Sequence, residues 1–382
     1  MSDAIKHECG IGLIRLMKPL DHYEQKYGNA LWGLQKMYLL MEKQRNRGQD
    51  GAGLATIKLN MKPGHPYLHR IRDNHPGPWT NLFRQVDERL EEVKKRFPDT
   101  WSEAETLKQN FEWAAEVMLG HLRYGTHGKN SIEAVHPVIR PNEYTTRSLA
   151  VAGNFNLTNV DYLFQKLVEL GQHPRYMTDT ETILERIGHF LDVANEHLYD
   201  KLKLTGYTRN EIARLISEEL NPIKVIRNAA KVWDGGYVIG GVVGNGDAFV
   251  LRDPNGIRPC YYYINDEVMV AASERAAIST IFHLHPDEIE ELKPGHVISV
   301  KGSTNQVKIK EFTEPGEKLA CSFERIYFSR GTGAHIYKER KALGAAIVPR
   351  VLMSIDHDLE NTVFDFIPNT AESAFLGMIK GL

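Results

Sequence analysis

The chain has 382 residues, 42% of them hydrophobic and 25% charged, a balance that suits a globular protein and a length that suits two domains. Its 47 basic and 49 acidic residues leave a formal charge of −2, which gives no footprint for nucleic acid or an anionic membrane, so a small-molecule substrate is the expected partner. No run of eighteen apolar residues could span a bilayer, and "MSDAIKHECG" lacks the basic-then-apolar build of a signal peptide, which predicts a cytoplasmic protein. Three scattered cysteines, Cys9, Cys260 and Cys321, exclude a disulfide framework and a C-x-x-C metal site.

Residues 9–16 and 51–58 read as short strands around a helix at 29–45. Residues 59–113 hold a stretch rich in Pro, His and Arg and a charged amphipathic helix, "LFRQVDERLEEVKKRF", and predict a helical insertion on the surface. Strand patterns return at 116–122 and 148–152, followed by helical ones at 159–170 and 180–198. From 236 to 300 nearly everything reads as strand and turn, an antiparallel meander in which "DPNG" closes a type I turn between two paired strands. The stretch 313–333 predicts turn residues, a strand and a Gly-containing loop before a helix at 337–355. The last helical pattern has no downstream strand, so residues 319–382 read as a linker and the start of a second domain.

Cys9 heads the apolar alternation "CGIGLIRL". An isolated cysteine on a strand is most often a small buried hydrophobe. The alternative is a nucleophile, and a thiol then needs a base. An N-terminal cysteine has one in its own α-amino group, which titrates near ~7.7–8.0. Cys9 reaches that state only when residues 1–8 are removed. Four other motifs bear on the choice. "NRGQDGAG" sets Arg47, Gly48 and Asp50 at a tight turn, where a helix C-cap is the plainer reading. "GHLRYGTHG" puts Arg123 and Thr126 just past a strand. "GNFNLTN" puts Asn154 in a loop between strand and helix, where a turn or cap residue also fits. "MTDTETI" offers Asp179 as a helix start and cap. Together they suit an amino-acid amide substrate: an arginine for its carboxylate, an aspartate for its ammonium, and an Asn amide with the next backbone N–H for the oxyanion that thiol attack creates.

In their order, "CGIGLIRL", "NRGQDGAG", "GHLRYGTHG", "GNFNLTN" and "TDTE" resemble the class II glutamine amidotransferase domain. "FVLRDPNGIRPCYYY", "MVAASERAAIST", "LKPGHVISV" and "CSFERIYFSR" look, within that group, like the amidophosphoribosyltransferase family. The resemblance implies an α+β chain with an N-terminal-nucleophile hydrolase fold, a four-layer αββα sandwich over residues 9–318, followed by the entry into an α/β phosphoribosyltransferase domain. It implies that residues 1–8 are a propeptide and Cys9 the nucleophile. Asn154 and the N–H of Phe155 then form the oxyanion hole, and Arg123 and Asp179 grip the glutamine carboxylate and amino group. Thr126, Arg47 and Gly48 match further glutamine contacts. Ammonia would pass to phosphoribosyl diphosphate and give 5-phosphoribosylamine in the first step of de novo purine synthesis, in a cytoplasmic homo-oligomer. A second reading is a class II amidotransferase with another acceptor, such as glucosamine-6-phosphate synthase, and a third is a non-catalytic relative.

The chain departs from the family pattern in four places. Phe155 stands where the family usually has glycine, the insertion at 59–113 is long, and residues 1–8 precede the nucleophile. The paired Asp and Ser/Thr-Gly phosphate loop of the acceptor domain does not occur before Leu382, so Mg²⁺ belongs to the missing part, and no metal is expected here. Cys321 matches an iron–sulfur ligand of some members, but one thiol cannot hold a cluster, and a structural cysteine is expected. Cys260, beside "YYY", is expected in the core.

Overall fold

The computed structural model describes residues 9–125, 131–331, 333–368 and 370–382. The expected propeptide and Thr126 therefore lie outside the described residues. The chain divides into two compact units, the first ending at Leu319 and the second running from Ala320 to Leu382.

The first unit opens with β1 (Gly10–Leu16), α1 (Leu20–Tyr27), α2 (Trp32–Lys43) and β2 (Gly51–Ile57). It continues through β3 (Leu68–Asp73), α3 (Pro78–Arg96), α4 (Ala104–Asn110), β4 (Val117–Arg123), β5 (Val138–Arg140) and β6 (Leu149–Leu157). Four helices follow, α5 (Val160–Glu169), α6 (Asp179–Leu202), α7 (Arg209–Glu219) and α8 (Pro222–Ala230). The remainder is β7 (Gly235–Val243), β8 (Ala248–Arg252), β9 (Tyr261–Ile264), β10 (Val268–Ala272), α9 (Arg275–Phe282), β11 (Glu290–Glu291), β12 (His296–Val300) and β13 (Val307–Glu311). Two antiparallel sheets result, ordered β11-β9-β10-β1-β4-β2-β3 and β13-β12-β8-β7-β6-β5.

Side chains alternate across a strand, so each sheet has two apolar faces to cover. On β1, Ile14 and Leu16 join a cluster with Leu34, Met37 and Leu40 of α2. Ile11 and Leu13 of the same strand join Ala150 and Ala152 of β6 in a second cluster, between the sheets. Leu149, Val151, Phe155 and Leu157 of β6 face the third cluster, with Ile183 and Ile187 of α6 and Ile226 of α8. A Cβ at Gly12 would lie 2.9 Å from Leu40 Cδ2, so the missing side chain lets α2 settle on β1.

Several sequence expectations change. Residues 59–113 are not a purely helical surface insertion: β3 pairs with β2 as an edge strand, and α3 buries Leu82, Phe83, Val86 and Val93 in the α2 core. Four apolar residues on one face of a highly charged helix suffice to dock it. The run 236–300 is not one meander, because β7, β8 and β12 lie in the six-stranded sheet while β9 and β10 lie in the seven-stranded one. The "DPNG" segment does turn, with the Gly256 N–H donating to the Asp253 carbonyl at 3.1 Å, but it passes the chain from one sheet to the other. The Asp253 carboxylate accepts the N–H groups of Asn255, Ile257 and Arg258, which sustains the turn without a hairpin partner.

The second unit packs α10 (Ala334–Ser354) with α11 (Glu372–Gly381). Residues 324–328 form a helical turn rather than a strand. Buried Arg340 takes the carbonyls of Arg325 and Ser329 at 2.9 and 2.8 Å, which satisfies that turn internally.

Candidate active site

Three strands deliver the site by alternation. Ile11 and Leu13 of β1 point between the sheets, so Cys9, two residues earlier, does too. Val117 and Leu119 set the same direction for His121 and Arg123 of β4, and Ala150 and Ala152 set it for Asn154 of β6. The β1–β4 register pairs Gly10 with Leu122, which brings Cys9 beside the end of β4. Asn154 is on β6 itself, not in the expected loop, because β6 runs on to Leu157 against β7. The Cys9 backbone N–H donates to Asn154 Oδ1 at 3.2 Å.

Cys9 is held from behind. Arg47 is fully buried, donates through Nε to the Cys9 carbonyl at 3.3 Å and through Nη1 to Glu274 Oε1 at 3.0 Å. Gln44 gives Nε2–H to the Ile11 carbonyl and accepts the Ser273 N–H, while Ser273 Oγ accepts the Ile11 N–H. Gly48 has no room for a side chain: a Cβ would lie 2.5 Å from the Leu122 carbonyl carbon. Arg47 and Gly48, expected at the turn beside Cys9 and as glutamine contacts, sit behind the strand of Cys9 and do not line the cavity in front of it.

In front of Cys9 lies a 380 Å³ cavity whose walls include Arg123, Asp179, Phe155, His121 and His136. Asp179 is the first residue of α6 rather than its cap: Thr178 caps the helix, its Oγ1 accepting the Glu181 N–H at 3.2 Å. Asp179 Oδ1 accepts the Thr180 N–H at 2.8 Å. The Gly153 N–H points off the open edge of β6 to His136 Nδ1 at 3.3 Å. Amide directions repeat every second residue, so the Phe155 N–H issues from that same edge. The Phe155 ring turns to the opposite face from Asn154 and stacks on His136, with centroids 5.1 Å apart and planes at 24°.

Burial pushes the Cys9 thiol up to about 11, against the opposing pull of the Tyr124 backbone N–H and the Arg123 and Arg47 charges. Burial likewise raises the Asp179 carboxyl to about 6, while the Thr180 N–H and hydroxyl draw it down. Cys9 as a side chain inside a peptide is thus mostly a thiol at neutral pH, and the site needs a base.

The structure brings Cys9, Asn154, Phe155, Arg123 and Asp179 to one place. Sequence reasoning missed Gln44, Ser273, Glu274, His136 and Thr180. His121 was readable from the alternation of "GHLRYG", but His136 comes from a separate loop with no periodic signal. Among the described residues no three His, Cys, Asp or Glu side chains come together as a metal site, and no helix is long and apolar enough to cross a membrane. Cys260 is buried in the layer between the sheets.

No family model matches the chain. Among curated proteins it is 24% identical over 356 residues to the amidophosphoribosyltransferase of Methanocaldococcus jannaschii, covering 90% of this chain and 62% of that protein. It is 26% identical over 359 residues to the Bacillus subtilis enzyme of the same name, covering 91% and 60%. The chain thus spans about three fifths of the length of the curated relatives it matches. Among solved structures it resembles the glutamine phosphoribosylpyrophosphate amidotransferase from B. subtilis complexed with ADP and GMP, with a TM-score of 0.61 and 21% identity over 98% of this chain and 64% of that one. An allosteric regulatory enzyme of purine biosynthesis gives 0.63 and 23% over 98% and 63%. These likenesses establish a shared mixed α and β fold.

Proposed function

We propose that this chain, whose curated relatives are amidophosphoribosyltransferases, is the glutamine-hydrolysing part of such an enzyme, acting through Cys9 once residues 1–8 are removed. The observation that carries the proposal is the cavity that gathers Cys9, Arg123 and Asp179 while Asn154 holds the Cys9 nitrogen. The two sheets packed between helix layers support an N-terminal-nucleophile hydrolase αββα sandwich, the fold in which a strand-initial residue supplies both nucleophile and base.

Cleavage before Cys9 turns its peptide nitrogen into an α-amino group of pKa ~7.7–8.0. That group takes the thiol proton as sulfur attacks the side-chain amide carbon of glutamine. The carbon–sulfur bond forms and the carbonyl electrons move to oxygen. Asn154 Oδ1 is engaged by the Cys9 nitrogen, which assigns its Nδ2 as one oxyanion donor, with the Phe155 N–H as the second. Arg123 pairs with the glutamine carboxylate and Asp179 with its ammonium. Collapse of the oxyanion breaks the carbon–nitrogen bond, and the leaving nitrogen takes the stored proton and departs as ammonia. Water, deprotonated by the same amine, then cleaves the thioester to glutamate.

In such an enzyme the ammonia displaces pyrophosphate from phosphoribosyl diphosphate and gives 5-phosphoribosylamine, with Mg²⁺ as the cofactor of that acceptor step. A homo-oligomer in the cytoplasm goes with the same reading. The test pairs intact mass with an ammonia assay. Loss of residues 1–8 together with glutamine-dependent ammonia release is expected; a retained leader with no release overturns the proposal in favour of an inert relative.

A further inference from the structure

His136 is buried between two rings, 4.4 Å from His121 and 5.1 Å from Phe155 by centroid. Its two nitrogens reach two different elements. Nδ1 accepts the Gly153 N–H of β6 at 3.3 Å, which leaves the proton on Nε2, and Nε2 lies 2.9 Å from Thr180 Oγ1 on α6. With that oxygen accepting, the Thr180 hydroxyl points its own proton at Asp179 Oδ1, 3.5 Å away. Four groups therefore form one directed chain: Gly153 N–H to imidazole, imidazole N–H to hydroxyl, hydroxyl to carboxylate. At one end is the strand that carries Asn154 and the Phe155 N–H. At the other is the carboxylate facing the cavity.

We infer that His136 is a positioning residue which, through Thr180, fixes the Asp179 carboxylate relative to the oxyanion edge of β6 and so sets the span between the two ends of the bound amino acid. The inference rests on the glutaminase reading for its substrate and on the hydrogen-bond chain for its geometry. A neutral imidazole with an Nε2–H accepts from a strand amide on one side and donates to a hydroxyl on the other in a rigid plane. The flanking rings hold that plane, so Phe155, the departure from the family's glycine, acts as the wall against which His136 is set.

Paired substitutions in the processed full chain separate the two bonds. His136→Gln keeps a donor where Nε2 stood and loses the acceptor for Gly153. His136→Asn keeps the acceptor and loses the reach to Thr180. Thr180→Val removes the hydroxyl, and Thr180→Ser restores it. Amide exchange at Gly153 is expected to be protected in the native protein and in His136→Asn, and at least tenfold faster in His136→Gln. In glutamine hydrolysis, His136→Asn and Thr180→Val are expected to raise KM about tenfold with kcat within threefold, Thr180→Ser to return KM to the native value, and His136→Gln to act chiefly on kcat. Equal Gly153 exchange in native protein and His136→Gln, or equal KM in Thr180→Val and Thr180→Ser, overturns the inference. If the native protein releases no ammonia while Gly153 exchange still follows the series, the glutaminase reading falls and the tie between β6 and α6 stands.

Discussion

Cys9 and Cys260 are almost equally buried, 4% and 1% exposed, the second within the apolar layer between the two sheets. Burial pushes both thiols up, to about 11 and about 12. What separates them is the company each keeps. Cys260 lies against apolar strands, with Arg252 drawing its pKa down and Glu291 opposing it. Cys9 lies at a strand end that opens on a cavity, with two arginines, the Tyr124 N–H and Asn154 around it. Desolvation alone makes an inert thiol; a reactive one needs strand ends that converge donors and charges on it.

Substitution at the two cysteines tests that contrast most sharply. Cys9→Ala is expected to reduce ammonia release from glutamine by at least about 10³-fold, since removing a nucleophile leaves only binding and the oxyanion donors; an unchanged rate ends the assignment. Asn154→Ala comes next, with a kcat loss of about 10²–10³ from one missing oxyanion donor, measured under saturating glutamine. Glu274→Ala acts on the support behind Cys9. It leaves the fully buried Arg47 without that carboxylate and is expected to cost about 3–5 kcal/mol in urea unfolding.

Asp179 couples stability to pH. Its folded value of about 6 stands above the ~3.9 of an unfolded aspartate, so the folded chain holds the proton longer. Stability is therefore lost as pH rises between those two values, by on the order of 3 kcal/mol, and that cost is fully carried at pH 7. Asp179→Asn is expected to be more stable than the native chain at pH 7 and equal to it near pH 3. The same variant should raise KM for glutamine and abolish an acid limb of kcat/KM near pH 6. The smallest effect is expected for Cys260→Ala: roughly 1 kcal/mol in unfolding and ammonia release within threefold of native.

Much of this could be read from the chain, and the failures have physical causes. Strands β1, β2, β4 and β7 follow period-2 apolar patterns and α6 follows its apolar spacing, so their positions were legible, although the cap read at Asp179 belongs to Thr178. Assignment of strands to sheets was not, because β8 and β9 have the same local pattern whether they pair with each other or diverge at Asp253. Asn154 looked like a loop residue because Gly153, Asn154 and Asn156 are poor strand formers; β6 persists through them by pairing with β7.

By itself the sequence determined the order of the five motifs, the strand that mounts Cys9 and the charges suited to an amino-acid substrate. Those features are local, written in adjacent residues and their alternation. Only the tertiary structure decided that Arg47 supports Cys9 from behind, that the insertion contributes an edge strand, and that His136 ties β6 to α6. Each of these joins residues far apart in the chain. Such contacts depend on which faces the packed sheets bring together, and that is settled when the apolar layers close.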